Sequence, residues 1–132
     1  MYTKKYTVRL HDTDAFGVLY FANQFRIIHE AYEEFTDDLG FHLNKLMDQS
    51  QYFIPIVHAE ASYNHPVMMG DTLKISLNVE NISVHSYSIT YDILLKKILV
   101  GTAKTVHVST HAYKNKKVPI PKSLRQALEK HL

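Results

Sequence analysis

Leu73-Lys74-Ile75-Ser76-Leu77-Asn78-Val79-Glu80 alternates apolar and polar side chains without a break. A strand sends successive side chains to opposite faces, so this stretch predicts a sheet with one buried face and one solvated face. Tyr87, Ile89, Tyr91 and Ile93 continue the same period against Ser86, Ser88, Thr90 and Asp92. Lys96-Lys97 stands where a tight hairpin turns, and Ile98 to His111 reads as a last long strand. Upstream, Tyr52 to Asn64 predicts another long strand, and Pro66 to Asp71, ending in Gly70-Asp71, a turn. Tyr2 to Leu10 has the β-branched and aromatic content of a first strand.

Between that first strand and the rest, the period changes. Phe21, Phe25, Ile28, Tyr32, Phe35 and Leu39 recur at steps of three and four, which predicts an amphipathic helix from about Phe21 to Leu39. Arg26, Glu30, Glu33 and Asp37 form its polar row, and Gly40 is the predicted stop. Phe41 to Ser50 predicts a short connection with a helical turn or two. Pro119 and Pro121 end the sheet, and Ser123 to Leu132 predicts a terminal helix capped near Ser123. One apolar helix stripe and a one-faced sheet cover each other. The expected fold is therefore α+β, the helix lying across four later strands that follow one another as an antiparallel meander.

The chain has 132 residues, the size of a single domain, expected to span residues 1–132. Hydrophobic residues at 45% and charged residues at 21% exclude a disordered chain. The absence of cysteine excludes a disulfide scaffold, a thiol nucleophile and a thiolate zinc site. Fifteen Lys+Arg against thirteen Asp+Glu leave a net charge of +2, with no basic stripe to argue for nucleic acid. Met1 to Tyr6 lacks the apolar run of a signal peptide, and no stretch approaches the ~20 apolar residues of a membrane span. The expectation is a cytoplasmic protein. Nine histidines are scattered without HExxH or comparable ligand spacing, so no metal site is expected.

Chemistry concentrates in His11-Asp12-Thr13-Asp14, followed by Gly17-Val18-Leu19-Tyr20-Phe21-Ala22-Asn23. Two carboxylates lie two residues apart where a strand ends and the helix is about to begin. A helix start leaves backbone N–H groups unpaired and carries about half a unit of positive charge. Such donors hold a carbonyl oxygen that becomes negative during acyl transfer and are worth on the order of 100- to 1000-fold in rate. A carboxylate just upstream attacks the same carbonyl or activates a water, and Gly17 lets the backbone approach a substrate closely. The plainer reading is that Asp12 and Asp14 only cap the loop or the helix.

The block Asp12-Thr13-Asp14-Ala15-Phe16-Gly17-Val18-Leu19-Tyr20-Phe21-Ala22-Asn23, the helix after it and Pro66-Val67-Met68-Met69-Gly70-Asp71 resemble the hotdog-fold acyl-CoA thioesterases of the 4-hydroxybenzoyl-CoA thioesterase family. The resemblance implies a long central helix wrapped by a five-stranded antiparallel sheet. It implies Asp14 as the catalytic carboxylate, nucleophile or general base, and the Phe21 N–H as the group that polarises the thioester carbonyl. It also implies a homodimer assembling to a homotetramer, with no cofactor, since coenzyme A is part of the substrate.

Tyr20-Phe21, His29-Glu30-Ala31-Tyr32-Glu33, Ile54-Pro55-Ile56-Val57-His58-Ala59 and Ser83-Val84-His85 are most similar to the 1,4-dihydroxy-2-naphthoyl-CoA thioesterases of menaquinone and phylloquinone biosynthesis. The aliphatic branch of the Tol-Pal cluster usually carries His where this chain has Phe21. Phe16, Tyr20 and Phe21 suit a flat aromatic acyl group or plain core packing; Phe25, Ile28 and Phe35 read as core. His58 either faces the acyl pocket or is buried on a backbone partner. Glu30 and Glu33 fall where another branch places its catalytic glutamate, or on a solvated face. Lys96, Lys97, Lys114, Lys116 and Lys117 either meet the coenzyme phosphates or are solvated, and Ser83-Val84-His85 departs from a basic cluster of the 4-hydroxybenzoyl branch. The expected activity is hydrolysis of an aromatic acyl-CoA. The alternatives are a broad-specificity short-chain or aromatic acyl-CoA thioesterase and a non-catalytic acyl-thioester binding module.

Overall fold

The computed structural model describes residues 2–44 and 52–132. The predicted connection from Phe41 to Ser50 falls in part outside them. Strand β1 (Tyr2–Thr7) ends short of the expected Leu10, because Leu10–Asp12 closes into a single 3₁₀ turn. Helix α1 (Asn23–Asp38) starts two residues later than its apolar period suggests and stops one earlier. Tyr20, Phe21 and Ala22 form the turn before it, their carbonyls accepting the N–H groups of Asn23, Gln24 and Phe25. At the other end Gly40 N–H bonds the Asp37 carbonyl and Phe41 N–H bonds that of Thr36, a Schellman closure that confirms the predicted stop. Sixteen residues make α1 about 24 Å long, so it is a moderate helix laid on the sheet rather than the long central one expected.

Tyr52 to Asn64 is not one strand. It divides into β2 (Tyr52–Phe53) and β3 (Ile56–Tyr63) around Pro55, which has no N–H to offer a ladder. Strands β4 (Thr72–Ile82), β5 (Ser86–Leu95) and β6 (Ile98–Val108) follow, then β7 (Thr110–His111), split from β6 where Ser109 N–H turns to the His85 carbonyl. The β5–β6 hairpin turns at Lys96 and Lys97 as predicted, both with positive φ, 48° and 73°. Helix α2 (Lys122–Glu129) begins after Pro121. No side chain caps it, so Ser123 lies inside its first turn and is not the predicted cap.

The main sheet is antiparallel in the order β1-β4-β5-β6-β3, and β2 pairs with β7 apart from it. Only β4-β5-β6 is a meander; the expected meander of four strands is corrected here. The segment Pro66–Asp71 is a crossing and not a hairpin turn. Gly70 N–H binds the Val8 carbonyl and Val8 N–H that of Asp71, which pins it beyond the end of β1. The chain leaving β3 must therefore cross to the opposite side of the sheet before β4 begins.

Helix α1 buries Ile27, Ile28, Ala31, Tyr32 and Phe35 on the inner sheet row of Leu73, Ile75, Leu77, Tyr87, Ile89, Tyr91 and Ile93. Ile28 and Phe35 are core as expected; Phe25 is only half-buried, and Phe21 precedes the helix altogether. His107 enters this core between aromatic rings, stacked 4.3 Å from Tyr32 and 4.9 Å from Tyr87. Its Nε2 meets Thr105 Oγ1 at 2.8 Å, and burial first, then the charge of His29, lowers its pKa to about 3. Among the described residues no helix is long and apolar enough to cross a membrane.

Candidate active site

The two aspartates of the acidic bend do different things. The Asp12 side chain is fully buried. Its Oδ2 accepts the Tyr6 hydroxyl at 2.6 Å and the Arg9 N–H at 2.9 Å, and its Oδ1 pairs with the Arg26 guanidinium. The Asp12 carbonyl takes the Tyr20 N–H at 2.9 Å and the Asn23 amide at 2.8 Å. One residue thus ties β1, the acidic bend and the start of α1 together. Burial pushes its carboxyl pKa up, but the Tyr6 and Arg9 hydrogen bonds and the charges of Arg26 and His11 outweigh that and leave it below the usual value. For Asp12 the structural reading holds.

Asp14 is half-buried. Its Oδ1 caps the turn by accepting the Phe16 N–H at 2.9 Å, while Asp14 N–H bonds the Val18 carbonyl and Gly17 N–H the Asp14 carbonyl. Gly17 closes this turn with φ +80°, a conformation side-chained residues avoid. Gly17 is not among the residues that line the cleft; what the structure shows of it is the turn it closes. No donor among the described residues engages Asp14 Oδ2.

Asp14 opens on a cleft of about 400 Å³ whose walls include Tyr20, Phe21, Gln24, Tyr63 and Pro66. The start of α1 forms its other end. Among the described residues, the N–H groups of Phe21 and Ala22 donate to nothing, while the next three are spent inside the turn. The Phe21 ring is 58% exposed. It lies 4.9 Å from the Tyr20 ring and edge-on to Tyr63 at 6.3 Å, an aromatic wall rather than core packing. Asp14, with one carboxylate oxygen unpartnered, and Phe21, with its backbone N–H unpartnered at the positive end of a helix, line one cavity among the described residues. That is a constellation suited to acyl transfer.

Two residues of the cleft escaped the sequence reading. Tyr63 donates its hydroxyl to the Phe21 carbonyl at 2.9 Å, fixing the turn that presents the free N–H groups. Gln24, 4% exposed, hydrogen-bonds carbonyls of β3 and β6. The available signal was a polar residue in line with Ile27, Ile28 and Ala31 on the buried stripe.

Other candidates are not brought to this cleft within the chain. His58 is neither in the acyl cleft nor buried. Its register opposite Val106 puts it on the outer sheet face, where Nε2 meets Glu60 at 3.1 Å. Glu30 pairs with Arg26 and Glu33 with His29, beside a separate cavity of about 570 Å³ between α1 and β3. Lys96, Lys97, Lys114, Lys116 and Lys117 are exposed and line no part of the cleft. Ser83-Val84-His85 anchors the tail: their carbonyls accept the Arg125 side chain, the Ile120 N–H and the Ser109 N–H.

Comparison with known proteins identifies the family. The model of the thioesterase-like superfamily matches residues 8–128. The chain is 39% identical over 128 residues to a 1,4-dihydroxy-2-naphthoyl-CoA hydrolase of Nostoc punctiforme, covering 97% of this chain and 86% of that one. It is 38% identical over 126 residues to the protein of the same name in Rippkaea orientalis, covering 93% and 91%. A 1,4-dihydroxy-2-naphthoyl-CoA thioesterase from Synechocystis superposes with a TM-score of 0.92 at 30% identity, over 96% of this chain and 94% of that one. The expected α+β hotdog fold is thereby present, and the chain belongs to the thioesterase-like superfamily.

Proposed function

We propose that this chain hydrolyses 1,4-dihydroxy-2-naphthoyl-CoA to the free naphthoate and coenzyme A, in the cytoplasm, as a step of menaquinone or phylloquinone biosynthesis. The carrying observation is that Asp14 and Phe21, whose Oδ2 and N–H have no partner among the described residues, line one aromatic-walled cleft. In this scheme the Phe21 N–H takes the thioester oxygen and stabilises the negative charge that grows on it. Asp14 then adds to the carbon, expelling the thiolate and leaving a mixed anhydride for water to cleave, or draws a proton from a water that adds instead. Tyr20, Phe21 and Tyr63 supply flat surfaces for the naphthoyl rings. No cofactor is called for, since the coenzyme is half of the substrate.

The likeness in sequence to proteins named for this substrate supports the acyl group assigned. A dimer or tetramer is part of the proposal, because β3 is an edge strand and Ile56, Val57 and Tyr63 on it are exposed. The test is a panel of aromatic and linear acyl-CoA thioesters ranked by kcat/KM, with wild type and Asp14→Asn. Asn keeps an oxygen for the Phe16 N–H, so the variant should fold while kcat falls on the order of 10²- to 10⁴-fold. Unchanged turnover by Asp14→Asn sinks the mechanism, and preference for linear chains sinks the naphthoyl assignment.

A further inference from the structure

We propose that Gln24 is a third polar group of the thioester site: a residue that locks the start of α1 to the sheet and holds the attacking water for Asp14. The inference rests on the hydrolysis proposed above. Gln24 is the second residue of α1 and almost wholly buried, on a helix face otherwise given to Ile27, Ile28 and Ala31. Its Nε2 reaches the Ser62 carbonyl on β3 at 3.3 Å and the Thr102 carbonyl on β6 at 3.2 Å. Both partners are acceptors, so the amino group must face the sheet and the orientation of the amide is settled by its neighbours. The remaining atom, Oε1, receives no hydrogen bond from the described residues, and Gln24 lines the cleft that Asp14 opens on. In this scheme that acceptor, which has no competing donor among the described residues, goes to a water in the cleft. A water with one proton on Asp14 Oδ2 and the other on Gln24 Oε1 has its free lone pair left for the carbonyl carbon.

Gly101 independently supports the first part of that proposal, the seating of Gln24 against the sheet. Gly17, Gly40 and Gly70 all have positive φ, but Gly101 does not, so its backbone does not demand a glycine. Space does. A Cβ at Gly101 would lie 2.9 Å from Gln24 Oε1, 3.0 Å from the Ser62 carbonyl oxygen and 3.1 Å from Gln24 Nε2. The strand beneath α1 gives up a side chain where the amide of Gln24 rests.

The experiment measures kcat, KM and melting temperature with 1,4-dihydroxy-2-naphthoyl-CoA for wild type, Asp14→Asn, Gln24→Met, Gln24→Glu and Gly101→Ala. Misplacement by about 1 Å in a site of this kind costs on the order of 10²-fold, so Gln24→Met should lower kcat by roughly 10- to 100-fold with KM little changed. Gly101→Ala should lower kcat in the wild-type background and add no further loss to Gln24→Met. In Gln24→Glu the carboxyl needs its proton to donate to a carbonyl, so kcat should fall with rising pH along a titration that wild type lacks. A folded Gln24→Met with kcat within about twofold of wild type overturns the inference, as does a change confined to melting temperature or KM. Where Gln24→Met does not fold, a Gln24→Glu pH profile superimposable on wild type overturns it equally. In each case wild-type turnover, lost in Asp14→Asn, shows that the hydrolysis itself stands; a wild type that leaves every thioester intact overturns both.

Discussion

Asp12 and Asp14 are chemically identical and two positions apart, and the chain holds them differently: one is spent inside the fold, and the other is the carboxylate to which the proposed mechanism gives the reaction. Asp12 spends both oxygens and its carbonyl inside the protein, whereas Asp14 keeps one oxygen back. The consequence for Asp12 has a definite sign. Its folded pKa lies below the unfolded one, so the stability it lends is complete above the unfolded value near 4 and is lost as pH falls through the folded value. Asp12→Asn should flatten that acid limb and lower stability at neutral pH by about 2–3 kcal/mol, read from urea titrations at several pH values. Asp14 was visible in the sequence because its neighbours form a recognisable block. Tyr63 and Gln24 were not. Each is an ordinary residue whose importance comes from register, and register is a relation between distant segments.

Among the elements, period was legible and pairing was not. The alternation of β4 and β5 predicted their inner rows correctly, since side-chain direction in a strand is a local property. The order of the sheet depends on Pro66–Asp71 docking against Val8, a contact more than sixty residues distant in the chain that no local pattern encodes. His58 was misplaced for the same reason: a register shift between Ile56 and His58 decides its face. The β5–β6 hairpin offers a test at this scale. Lys96 and Lys97 both hold positive φ, which costs a side-chained residue about 1 kcal/mol or more. Lys97→Gly should therefore raise the melting temperature without touching kcat, a gain of roughly 1 kcal/mol in a denaturant titration.

For the whole molecule, the open edge of β3 sets the question of assembly. Among the described residues nothing pairs with its outer side, and Val57 is 59% exposed, an arrangement that unmodified edges rarely keep in water. If a second copy covers it in the working enzyme, Val57→Lys should shift sedimentation toward the monomer and reduce kcat/KM together with the assembly. A monomer of full activity would remove the dimer from the proposed mechanism.

Phe16 sits at the tip of the Asp14 turn with 89% of its surface in solvent, and the chain contains no tryptophan. The protein is therefore optically blank in the indole band, and its Phe16 ring stands two residues from Asp14, whose Oδ1 accepts the Phe16 N–H. A single indole at that tip, excited at the red edge where the nine tyrosines scarcely absorb, would make the emission a report from beside Asp14, readable as ligands arrive and leave.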